Sequence, residues 1–100
     1  MTIYEHRTTM TATAGSAMTV TLPRLHGIMH QLLVRANTDT TLFRVNLTDN
    51  NSVIRLNYAF HRGEINDVMT RLPLQGQYTV QVTNASQSDA FTVVLAARDQ

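Results

Sequence analysis

The sequence predicts an all-β domain, a single antiparallel β-sandwich or jelly roll of seven to eight strands, on three observations. Apolar and polar residues alternate with period two, the alternating runs recur about every ten residues, and clusters of turn residues bound them. Fifteen of the 100 residues are Thr, whose β-branch and hydroxyl suit the wet face of a strand. Helical periodicity is nearly absent.

The first segment, Thr2 to Ala14, is Thr-rich and weakly amphipathic and closes on Gly15-Ser16. It reads as an N-terminal arm over 1–14 or as an edge strand, with 15–100 as the sandwich domain. Met18, Val20 and Leu22 then alternate with Thr19 and Thr21 before Pro23 stops the ladder. After Gly27, Ile28, Leu32 and Val34 share a face with His30, while Met29, Gln31, Leu33 and Arg35 share the other. Both faces are partly apolar, as in a central or interface strand.

Past the polar turn Asn37-Thr38-Asp39, Phe43, Val45 and Leu47 point one way and Leu42, Arg44, Asn46 and Thr48 the other. Asp49-Asn50-Asn51-Ser52 tolerates left-handed backbone and makes side-chain-to-backbone bonds, so it predicts a hairpin in the middle of the sheet. In the returning strand Ile54, Leu56, Tyr58 and Phe60 are expected on one face. Ile65 to Leu72 fits a strand or a single helical turn, because Ile65, Val68, Met69 and Leu72 also fall at helical spacing. Pro73-Leu74-Gln75-Gly76 is expected as a loop, followed by a strand with Tyr78, Val80 and Val82 inward. Asn84 to Asp89 is expected to turn a second hairpin into Phe91, Val93, Leu95 and Ala97.

All eight basic residues are Arg, spread along the chain against seven acids for a formal charge of +1. A nucleic-acid surface needs clustered cations to release counterions, so nucleic acid is not an expected partner. The planar, weakly hydrated guanidinium is better matched to protein interfaces. Cysteine is absent, which excludes a disulfide framework and thiolate chemistry. The N-terminal residues lack the apolar core of a signal peptide, and no segment approaches the roughly 20 apolar residues of a spanning helix, so no membrane partner is expected.

Catalysis is not expected, and neither is a cofactor or a metal. His26 and His30 are four apart, which on a strand separates them by about 13 Å, too far to share an ion. Ser16, Ser52, Ser86 and Ser88 lie in polar turns and not at a strand-to-helix elbow. Asp49, Glu64 and Asp67 are the carboxylates nearest one another, with Asp49 better used in its turn. A sugar-binding platform would need exposed aromatics; there is no Trp, and Tyr4 is the freest of the six aromatic residues.

The positive signal is for association. The strand over 28–36 is apolar on both faces, and Leu42, Val94 and Leu74 fall where solvent is expected. The Thr-rich first segment could add to a neighbour's sheet edge. The candidate interface is therefore Thr8, Thr9, Met10, Met29, Leu33, Arg35, Leu42 and Leu74.

The segments Leu32-Leu33-Val34, Thr41-Leu42-Phe43-Arg44-Val45-Asn46-Leu47-Thr48-Asp49, Leu72-Pro73-Leu74-Gln75-Gly76-Gln77-Tyr78-Thr79-Val80, Val82-Thr83-Asn84-Ala85-Ser86 and Phe91-Thr92-Val93-Val94-Leu95 resemble those of small bacteriophage virion proteins of sandwich fold. That resemblance implies a capsid decoration or cement protein, made in the host cytoplasm and resident in the virion. Its partner would be the major capsid protein or another virion protein, and it would act as a homo-oligomer, a trimer before other orders. A head–tail or tail accessory component, or a freestanding carbohydrate-binding or accessory module, is the alternative.

Overall fold

Period-two alternation is realised as nine strands, all antiparallel to their neighbours, among residues 2–99, which the computed structural model describes. They are β1 (Ile3–Ala12), β2 (Met18–Thr21), β3 (Leu25–Ala36), β4 (Leu42–Asp49), β5 (Ile54–Arg62), β6 (Glu64–Asp67), β7 (Pro73–Gly76), β8 (Tyr78–Thr83) and β9 (Asp89–Arg98). One sheet has the order β1-β9-β3, with β6 and β7 sharing the far edge of β3; the other has the order β2-β8-β4-β5. β1 packs near β2 and β5 near β6, so the two sheets stack as a sandwich.

The inward residues of both sheets meet in one core. Phe43 and Phe91 touch edge to face with centroids 4.9 Å apart, and Leu32, Val34, Leu47, Val80, Val82, Val93 and Leu95 are fully buried around them. Burying each such side chain stabilises the fold by about 1.5–3 kcal/mol. The core thus comes from the alternate positions that the sequence marks on β4, β8 and β9.

Two strands depart from simple alternation, and the cause is the same in both. On β3 the register passes from Met29 opposite Ala97 to Gln31 opposite Ala96, so His30 is the extra residue of a bulge. Met29 therefore points inward with Leu32 and Val34, and is fully buried instead of lying beside Leu33 and Arg35. On β5, Leu56 and Tyr58 oppose Leu47 and Val45, yet Ile54 opposes Thr48 and His61 opposes Phe43. An extra residue at each end turns Ile54 and Phe60 out to solvent, at 56% and 53% exposure, against the expectation that all four share a face.

Three further expectations change, and one left open is resolved. The β4–β5 hairpin forms, with the Asp49 carboxylate accepting from the backbone N–H of Asn51 and Val53, but β5 is a sheet edge and not the middle. Asn84 to Asp89 crosses between the sheets instead of closing a hairpin, because β8 and β9 belong to different sheets. Pro73–Gly76 is a short strand along β3, where a proline without an N–H is tolerated at the strand's first residue. Glu64–Asp67 is likewise a strand, and 68–72 a turn that returns the chain to β7.

The first segment is β1, paired with β9 over its ten residues from Ile3–Arg98 to Ala12–Asp89, and so an edge strand of its own sheet. Gly27, at φ +94°, is needed where β3 begins: a Cβ there would run into the Arg98 carbonyl oxygen.

Candidate functional site

The candidate interface residues divide by burial. Met10, Met29 and Leu74 belong to the core, at 9%, 0% and 4% exposure, and so cannot present a surface in the folded chain. Val94, expected to be wet, is also buried: it sits on the outer face of the central strand between Arg7 of β1 and Leu33 of β3, whose longer side chains flank it. Thr8 and Leu33 are half-buried, and Thr9, Arg35 and Leu42 are exposed. Arg35 is held by Glu64 on the neighbouring strand at 2.7 Å. The structure therefore brings Leu33 and Arg35 together on one outer face and leaves Leu42 on the other sheet.

More of the exposed large apolar side chains lie elsewhere, on and beside β5 and in the turn after β6. Val53, Ile54 and Phe60 are about half exposed, as are Leu42 and Val68, and Met69 is 83% exposed. Phe60 shares the outer face with Arg44, whose guanidinium lies 5.5 Å from the ring centroid, a cation–π contact. Alternation alone concealed this surface, because it assigned Ile54 and Phe60 to the core face. No signal in the sequence marks the two bulges that expose them.

The turn carrying Val68 and Met69 is fixed by Asp67. Its carboxylate accepts from the Tyr58 hydroxyl at 2.8 Å, the Thr70 hydroxyl at 2.7 Å, and the backbone N–H of Met69 and Thr70 at 3.0 Å. Partial burial pushes this carboxyl up, but the Thr70, Tyr58 and Met69 donors outweigh it and hold it at about 2. The Tyr58 phenol is pushed up, by burial first and then by its bond to Asp67 and that residue's charge. The bond also ties β5, which carries Ile54 and Phe60, to the turn that carries Val68 and Met69.

The other carboxylates weighed for chemistry also have structural partners. Asp49 caps its own turn and lies 3.8 Å from Arg55, and Glu64 pairs with Arg35. Asp89 accepts from the Thr41 hydroxyl and the Thr38 N–H, and despite burial these bonds lower its carboxyl. Among the described residues no three His, Asp or Glu side chains gather where they could hold a metal.

Three recesses mark the surface of the described residues. One, of about 290 Å³, opens between the start of β1 and the β2–β3 connection, where Tyr4 meets His26 edge to face at 5.4 Å. A second is a shallow field on the outer face of the second sheet, where Thr21, Thr79 and Thr48 form a cross-strand row beside Asp49, and a third lies between the β4–β5 turn and β7, with Arg55 and Asp49 in its lining.

No family model matches the chain, and no curated protein matches it in sequence. Solved structures share its fold. A mitogen from Yersinia pseudotuberculosis superposes with a TM-score of 0.55 at 8% identity, covering 97% of this chain and 88% of that one. PliG, a periplasmic inhibitor of g-type lysozyme from Aeromonas hydrophila, gives 0.54 at 13% identity, covering 91% and 83%. At these identities the likeness is one of fold.

Proposed function

We propose that this chain is a structural protein of a bacteriophage particle, of the capsid decoration or cement type, acting by association and without catalysis. The observation that carries the association is the set of exposed apolar side chains on and beside the edge strand β5, Val53, Ile54 and Phe60, together with Val68 and Met69 in the turn after β6. β5 pairs only with β4 among the described strands, so its outer edge offers backbone groups as well as apolar side chains to a partner. The virion assignment rests on the strand and turn segments that resemble small phage sandwich proteins. Burying this surface at junctions between shell subunits would raise the barrier to their separation.

The test is the copy number of the protein in purified particles of its source, measured by quantitative mass spectrometry against the major shell protein. A number comparable to the shell subunit is expected. A few copies would move the protein to a neck or tail position, and absence from particles would refute the virion reading.

A further inference from the structure

The recess beside β1 arises from a mismatch in strand length. β1 has ten residues and β2, its neighbour in the facing sheet, has four, so the start of β1 extends past β2. On the inward-facing positions of β1, Met10 and Ala12 are buried in the core, but Tyr4 stays 39% exposed and His6 half-buried. The connection from Leu22 to His26 runs beneath this overhang. Leu22 and Leu25 anchor it in the core, which leaves Arg24 and His26 exposed at the recess. Ala97, the register partner of Tyr4, contributes only a methyl group to the lining, and the space it leaves is part of the recess.

We propose that this recess binds an acidic monosaccharide unit, a uronic acid or a sugar phosphate, with Arg24 taking the anionic group and Tyr4 and His26 taking the ring. Its volume of about 290 Å³ suits one sugar ring and little more. The guanidinium of Arg24 makes no ion pair among the described residues, whereas Glu5, which also lines the recess, has its carboxylate 3.3 Å from Arg7. A planar fork of donors at the mouth matches carboxylate or phosphate oxygens. The Tyr4–His26 pair supplies an aromatic wall for the C–H face of a sugar, and His6 a ring nitrogen for its hydroxyls. A neutral sugar would leave Arg24 unused, and a bare oxyanion would leave the aromatic wall unused.

The inference is independent of the particle assignment and is tested on the isolated full chain. Backbone amide resonances are followed by NMR during titration with glucuronate, glucose 6-phosphate, glucose and inorganic phosphate at constant ionic strength. Saturable shifts centred on Tyr4, His6, Arg24 and His26 are expected for at least one of the two acids, and which acid saturates identifies the oxyacid group. Glucose and phosphate are expected to bind at least about tenfold more weakly, and Arg24→Ala to weaken the acid about tenfold, with Arg24→Lys between the two. Arg24 is exposed, so both variants should keep the wild-type spectrum elsewhere. No saturation by either acid up to about 20 mM would overturn the proposal. So would equal binding by Arg24→Ala, or phosphate or glucose binding as tightly as the acids.

Discussion

Asp67 shows how one side chain sets local order here. Four donors converge on its carboxylate, and together they hold residues 67–70 in a turn and fasten that turn to Tyr58 of β5. The carboxyl titrates at about 2 when folded, against 3.8 without the fold. A lowered folded value means that the stabilisation is complete above about 4 and is lost as pH falls toward 2. Solvent screening at this half-buried site reduces the contribution to about 1 kcal/mol. Asp67→Asn should therefore lower stability by about that amount at pH 7 and by much less at pH 2.5, measured by urea denaturation at both values. An equal loss at both would show that the charge is not what matters. Little of this is legible in the sequence, where Asp67 is marked only as a carboxylate near Asp49 and Glu64, because its donors come from a strand nine residues earlier and from a turn in the segment whose type the sequence leaves open.

Among the elements, β1 and β5 are both edge strands, and the sequence described them unequally. For β1 the alternation of Met10 and Ala12 with Thr9 and Thr11 was weak, leaving an arm and an edge strand both open. Ten residues of pairing with β9 and the burial of Met10 and Ala12 make it part of the core. Deleting residues 2–14 should then unfold or aggregate the domain, since losing those contacts and exposing Phe91 and Val93 along β9 removes much of a typical stability of about 5–15 kcal/mol. A circular-dichroism melt checks this, and a truncated chain with a native transition would return the segment to an arm. For β5 the alternation was clear and the faces were still wrong at both ends. Period-two reading holds only while each strand residue faces one partner residue, and a bulge, set by how two distant strands pair, shifts everything beyond it. The faces of β4, β8 and the inner side of β9 were legible because their pairing with one another and with β1 runs without such an insertion.

On the scale of the whole molecule, a sandwich of 39 × 25 × 20 Å has one core, and apolar residues outside it are surplus to folding. The two candidate surfaces differ in character. The outer face around Leu33 and Arg35 is bridged by polar pairs, Arg35 with Glu64 and Gln31 with Asn66 at 2.9 Å, and its small apolar residues are already covered. The β5 side instead presents Ile54, Phe60 and Met69 with no such cover, and Arg44 over Phe60 adds a cation suited to a partly desolvated contact. If β5 is the assembly edge, a lysine there adds an unpaired charge where a partner would bury it, while solvent accommodates it in the free chain. The double variant Ile54→Lys, Phe60→Lys should accordingly be monomeric by light scattering at concentrations where the natural chain is oligomeric, with its thermal midpoint shifted by no more than about 5 °C. Oligomers of unchanged size in the variant would exclude β5 and direct attention to the face carrying Leu33 and Arg35, where Leu33→Lys is the corresponding test.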